Sequence, residues 1–503
     1  MGTSAPWIES LFTARIGQIV WFTTWQALLS AALCVLIGVP GAYVLHHRKF
    51  REQNIIRALI AVPFIMPTIV VAISFSSLKN VPLIGDALFG HSPIVTIVCA
   101  QVFMNYGLVV RAIGNVWAGL DPASENAAEL DGAGRIRIFW SITLPQLSSA
   151  LISSALLVFL YCATSFGIVL VLGGGIVNSI ETEMYVLALQ RLDLGATAGL
   201  AIIQTLITVL AFLAAYRIGK PNISLHEGGS SPHRRPLDRR DLPVLLFTTI
   251  FIAILIVAPI ATAIGKAFMF NDTFSLINFS NLASFGARDL LSITVGQAAI
   301  NSVRNLLLST AIAMLVGTRV SYLLARPSTS LRVRKLCDTL FQLPVGISSI
   351  VVGLGYLITF SDGFFPLRSS WVAIPLAQAL IATPLVIRLV YPAILAVDSD
   401  VTQGAETEGA NTEQIWWLVQ APIIRGALRT ATGYVALISL GEFGAASFLV
   451  YGDQGTLPTV LYQLISRPGT QNYGMAMATS ALLILVSFVV VGVVSLRSEK
   501  QFD

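Results

Sequence analysis

Two loops and one carboxylate carry the chemistry this sequence offers. The first loop holds Glu125, Ala127, Ala128 and Gly132, then Phe139, Trp140 and Pro145. The second holds Gly404, Ala405, Glu406 and Gly409, then Trp416, Trp417 and Pro422. Each reads as a short helix, a glycine break, a second helix, and a proline where the next apolar run begins. Acidic residues early in a helix favour its positive end. Small Ala and Gly side chains permit close approach by another surface, and the aromatic residues supply apolar anchors. This is the chemistry of docking rather than of bond making. A surface-bound amphipathic loop would account for one such segment; two at a fixed spacing favour docking. The carboxylate is Glu442, the one acidic residue well inside a long apolar run. Burying it in hydrocarbon costs roughly 2.5–3.5 kcal/mol on insertion scales, so it is a functional-site hypothesis by default. It either offsets a passing cation or hydrogen-bonds a neighbouring helix.

The elements that position these residues are membrane helices. The chain has 503 residues, 55% hydrophobic and 11% charged, with a mean hydropathy of +0.78. A soluble chain carries about 25% charged residues, so a soluble globule of this size is excluded. Low charge and long apolar runs also exclude disorder and a disulfide-stapled scaffold, and the runs are too long for a transmembrane β-barrel. At about 20 apolar residues per crossing, the expected spans are 17–45, 55–78, 93–117, 147–172 and 196–217. A flexible basic linker, 220–241, follows. Six more spans are expected at 242–268, 297–325, 336–360, 371–397, 428–451 and 473–496, about 11 in all. The corresponding domains are 1–219, 220–241 and 242–503.

The net charge of +5 belongs to loops at the membrane surface, and nucleic acid is not an expected partner. One set of loops carries 20 Lys and Arg residues, including Arg48, Lys49, Arg135 and Arg425, while the alternate set carries 5. By the positive-inside rule the first set is cytoplasmic, so the N-terminus lies outside and the C-terminus inside. A cysteine placed at Ser4 is therefore expected to react with an impermeant maleimide in intact cells, and one at Ser230 to stay unlabelled; labelling at Ser230 overturns the topology. No basic stretch with a short apolar run and an AxA site opens the chain, so a cleaved signal peptide is not expected. Cys34, Cys99, Cys162 and Cys337 form no CxxC pair and read as small core residues. Arg111 and Arg388 read as snorkelling side chains near helix ends, and His46 and His47 as solvated.

An internal repeat runs through the chain at an offset of 277 residues. Arg111 matches Arg388, Asp121 matches Asp398, Gly132 matches Gly409, Pro145 matches Pro422, and Phe166-Gly167 matches Phe443-Gly444. Pro63 matches Pro344 at a slightly larger offset. The position matching Glu442 is Ser165, so a charge site would be asymmetric. Two five-helix units joined directly would be inverted. One extra helix, 242–268, restores the orientation and makes the repeats parallel, with both loops on the cytoplasmic side.

These loops resemble the EAA motif of the membrane subunits of binding-protein-dependent ABC importers, and the resemblance covers nearly the whole chain. Glu125 stands one place before the motif's leading position, where this chain has Asn126; the second copy has Gln403 there. Ala127, Ala128 and Gly132 keep the pattern in the first copy, as Ala405 and Gly409 do in the second. Leu172 and Gly173–Gly175, followed by Glu181, Glu183 and Tyr185, lean toward the thiamine-type permeases, with ferric-iron permeases close behind. The resemblance implies an all-α integral membrane protein with the type I ABC importer fold, in a prokaryotic plasma membrane. It implies two copies of an ATPase subunit gripping the loops, with Glu125, Ala127, Ala128, Gly132, Pro145, Ala405, Glu406, Gly409 and Pro422 as coupling residues. An external solute-binding protein would deliver the solute, and Ser165 and Glu442 would line the pathway. The chain has no GxxxxGK[ST] loop to cradle phosphates. It is expected to be no enzyme and to bind no cofactor, ATP being used by the partner. The family usually carries one more N-terminal helix; here it is either lost or encoded upstream of Met1, in which case an in-frame apolar stretch of about 20 residues is expected there. An ion-coupled secondary transporter is the rival; it would show inverted repeats, unwound mid-span helices and intramembrane acidic pairs.

Overall fold

The computed structural model describes residues 13–82, 84–90, 92–218, 235–271, 273–326, 329–330, 332, 348–360, 370–467 and 469–499. Ser4, Lys220, Gly228, Ser230, Lys335, Cys337 and Pro344 lie outside the described residues. Helices dominate; the described strands are four two-residue pieces. Among the described residues eight helices are long and apolar enough to cross a membrane, nine if the pair Gln53–Ile65 and Thr68–Lys79 forms one span. That pair bends by 106°. Of the other expected spans, 336–360 is described only from Ser348, and 428–451 is not one continuous helix. It runs as Arg425–Gly441, stops, and resumes as Gly444–Leu449. The 147–172 span likewise divides into Leu144–Ala163 and Phe166–Leu172.

The chain forms two compact units, Met1–Lys266 and Ala267–Asp503. The linking helix lies almost wholly within the first. Its Phe251 ring packs 4.9 Å from Tyr106, and Asp241 at its start reaches Tyr43 and Arg48.

Packing inside the units repeats as the sequence does. The first long helix of unit one approaches the third through Gly38; a Cβ there would lie 2.6 Å from Val109 Cγ1. In unit two Gly317 meets Val386 in the same way, at 2.7 Å. Only a residue without a side chain allows such an approach, the usual means of close helix packing in lipid. Around Val386, buried Ala313, Ala379, Ala382, Val390, Ala431 and Val435 complete a core of small side chains. In unit one Phe75, Phe103, Ile69 and Ile73 are fully buried, with the Phe75 and Phe103 rings edge to face at 5.3 Å.

His46 and His47 are not solvated as expected. The helix widens over Tyr43–His47, which turns His46 inward to 8% exposure against Gly114. His47 stacks on Tyr43, ring centres 5.5 Å apart.

Candidate functional site

The first helix of each loop is capped and closed in the same way. Asp121 caps the helix Pro122–Leu130, its carboxylate accepting from Ala123 N at 2.9 Å. Asp398 caps Ser399–Thr407 and accepts from Asp400 N at 2.9 Å. At the far end Gly132 adopts φ +83° and Gly409 φ +85°. This left-handed conformation favours glycine. It lets Ala133 N reach back to Ala128 O at 2.9 Å, and Ala410 N to Ala405 O at 3.0 Å. These wrap-back bonds satisfy carbonyls that a helix end leaves open. Nothing lies within 4 Å of a Cβ placed on either glycine.

Ala127, Glu406, Pro145 and Pro422 are exposed, while Ala128 and Ala405 are half-buried. Glu125 is half-buried and accepts from Thr143 Oγ1 at 2.8 Å, which ties the loop to the helix that follows. Exposed apolar side chains flank both loops, Leu130 and Trp140 in the first and Trp417 and Leu418 in the second. Aromatic contacts anchor each loop to the first helix of its unit. In unit one Tyr43, Trp117, Phe139 and Trp140 form a chain of rings with successive spacings of 5.5, 6.0 and 5.8 Å. In unit two Tyr322, Trp416 and Trp417 do so at 5.2 and 6.4 Å.

Ser165 and Glu442 both stand at helix breaks, one in each unit. Glu442 is not inside a continuous helix, as its apolar surroundings suggested. The helix ends at Gly441, and the carboxylate accepts from Ala445 N at 2.7 Å and Ala446 N at 3.0 Å. It thus satisfies the open N–H groups of the short helix Gly444–Leu449. Ser165 precedes Phe166–Leu172 in the same way, but its Oγ has no hydrogen-bond partner among the described residues. The following glycine explains the Phe-Gly repeat. A Cβ on Gly167 would meet Thr68 Oγ1 at 2.5 Å, and one on Gly444 would collide with Ser349 Oγ. The phenylalanines pack at a tilt against later tyrosines, Phe166 against Tyr185 at 5.4 Å and Phe443 against Tyr462 at 5.6 Å.

Sequence reasoning missed what seals these breaks. Gln101 Nε2 reaches Cys162 O at 3.4 Å, and Gln378 Nε2 reaches Ser439 O at 2.9 Å. Gln26 adds a second donor to Cys162 O, and Gln204 serves Ala163 O. Beyond the breaks, Thr23 Oγ1 accepts from Ile180 N and Ser302 Oγ from Leu457 N. These start the short helices Ile180–Tyr185 and Leu457–Ser466, which hydropathy did not reveal. The signal was available: Gln101 and Gln378 lie inside apolar runs at the repeat offset, and Thr182 and Thr459 of the two helix caps are separated by the same offset. Arg111 and Arg388 are exposed at matching positions.

A repeated membrane unit with a wrapped-back glycine loop in each copy matches a known family. The family model of the binding-protein-dependent transport system inner membrane component covers residues 34–220 and 317–500. The chain belongs to this family. It is a multi-pass component of the prokaryotic plasma membrane, a fused ABC importer permease. The thiamine transport system permease protein of Brucella abortus is 27% identical over 91% of this chain and 83% of its own length. That of Escherichia coli is 23% identical, over 97% and 90%. A ferric transport system permease protein of Actinobacillus pleuropneumoniae is 23% identical, over 78% and 57%. Each matched stretch contains one copy of the repeated loop, Asp121–Gly132 in the first and Asp398–Gly409 in the second. Helix breaks, which a secondary transporter was expected to show, are present in this permease too, with backbone and amide groups closing them.

Proposed function

We propose that this chain is the permease of an ATP-driven importer that moves a small solute, a thiamine-like cation or ferric iron, delivered by an external binding protein. Two copies of an ATPase subunit grip the helices Pro122–Leu130 and Ser399–Thr407, and ATP hydrolysis falls to that separate chain. The observation that carries the reading is the paired loop geometry, with its matched caps and its glycines at φ +83° and +85°. A rigid, exposed helix closed at both ends transmits displacement as a lever, whereas a frayed loop would absorb it. The names of the relatives support the solute class. In this reading Ser165 and Glu442, at the equivalent breaks, mark the pathway.

Proteoliposomes containing the permease, its ATPase and its binding protein test the reading. Uptake of labelled thiamine or ferric iron is expected to require ATP and to survive a protonophore. Uptake that needs no ATP and collapses with the ion gradient would make the chain an ion-coupled secondary transporter.

A further inference from the structure

The two coupling loops are held differently, and the difference centres on Asp241. This residue ends the linker and opens the linking helix. Its side chain is 2% exposed and forms an ion pair with Arg48, itself 6% exposed, at 3.1 Å. Tyr43 Oη donates to the same carboxylate at 2.7 Å. Asp241 also accepts from Asp238 N at 3.0 Å, which fixes the last turn of the linker. Backbone pairing of Arg48 and Lys49 with Arg235 and Pro236 holds the linker against the first cytoplasmic turn.

From this buried anchor one arm reaches the coupling loop. Arg135, directly after the loop's Gly134, lies 3.4 Å from Asp241 and 3.3 Å from Asp238. Arg135 opens the helix that continues into the membrane span. The position matching it in the second unit is Thr412. There the loop closes on itself: Asn411 N donates to Gln414 Oε1 at 2.8 Å and Gln414 N to Asn411 Oδ1 at 2.9 Å. The second loop therefore carries its own cap, whereas the first has no side-chain cap at Gly134 and is tied to the end of the linker through Arg135.

We propose that Asp241 and Asp238 are positioning residues for the first coupling loop: the end of the linker latches it through Arg135. The buried Arg48–Asp241 pair is the fixed half of the latch. The half-exposed Arg135 contacts are the part that yields under load, since exposed pairs are weak and screened by salt. The described end of the linker, 235–241, and the first loop then move as one body, and the two ATPase contacts are mechanically unequal. The proposal rests on the reading that these loops dock the ATPase.

The test uses Arg135→Gln, which leaves the buried pair untouched, in the full complex of permease and ATPase. A photo-crosslinking amino acid at Ala127 reports the first contact, and one at Gly404 the second. Arg135→Gln is expected to reduce crosslinking from Ala127 several-fold, to leave Gly404 crosslinking and purified yield unchanged, and to be rescued by Arg135→Lys. High salt should mimic the substitution at the first loop only. Equal loss at both loops, or no loss at Ala127, overturns the latch. Absence of crosslinking from both positions in the otherwise unaltered chain overturns the docking reading and the latch with it.

Discussion

Replacing Gly132 and Gly409 together with tryptophan is expected to abolish solute uptake while the protein remains inserted and the ATPase keeps turning over. Both glycines hold a left-handed conformation, which costs an L-residue about 1–2 kcal/mol. Neither is crowded, with nothing within 4 Å of a built Cβ, so the strain falls on the loop rather than on the membrane core. The new ring stands on the surface proposed to meet the ATPase. The single substitutions should differ, because the first loop is fastened by Glu125 to Thr143 and by Arg135 to the linker, and the second by its own cap. Uptake by the double variant at the rate of the unaltered protein would refute the coupling assignment.

Substitutions at Glu442 are expected to separate two roles of one side chain. Glu442→Leu strands the N–H groups of Ala445 and Ala446, at about 1–3 kcal/mol each when buried. The amount of folded protein and its melting temperature in detergent should fall together. Glu442→Gln keeps one acceptor for the short helix but removes the charge. If the solute is cationic, folded protein should stay near normal while uptake of labelled thiamine drops several-fold. Unchanged uptake in Glu442→Gln would leave capping as the carboxylate's whole role.

The repeat and the geometry of the paired loops were legible because they are written in residue types that few other structures need. A glycine at a left-handed turn and an aspartate at a cap leave fixed spacings, and these recur at 277 residues from Asp121–Gly132 to Asp398–Gly409. The helix breaks were illegible for the opposite reason. Hydropathy measures transfer from water, and Thr164-Ser165 between Cys162 and Phe166 transfers almost as easily as a helical stretch would. The break exists because donors from remote helices, Gln101 and Gln26 among them, make an open carbonyl tolerable. A local window cannot see such partners. His46 failed similarly: its neighbours Arg48 and Lys49 imply water, while the widened turn before it sends the ring toward Gly114.

The sealed breaks also bear on how the chain is made. The segments Phe166–Leu172 and Gly444–Leu449 have 7 and 6 residues, about 10 Å of helix at 1.5 Å per residue, too little to enter the bilayer alone. Most of the groups that close the breaks are synthesised first. Gln26 and Gln101 precede Cys162, Gln378 precedes Ser439, Thr23 precedes Ile180 and Ser302 precedes Leu457. Each unit can therefore be assembled in the order in which it leaves the ribosome, with a prepared socket waiting for the broken helix. Ala163 O is the exception, since Gln204, on the helix Leu194–Ile218, is synthesised after it.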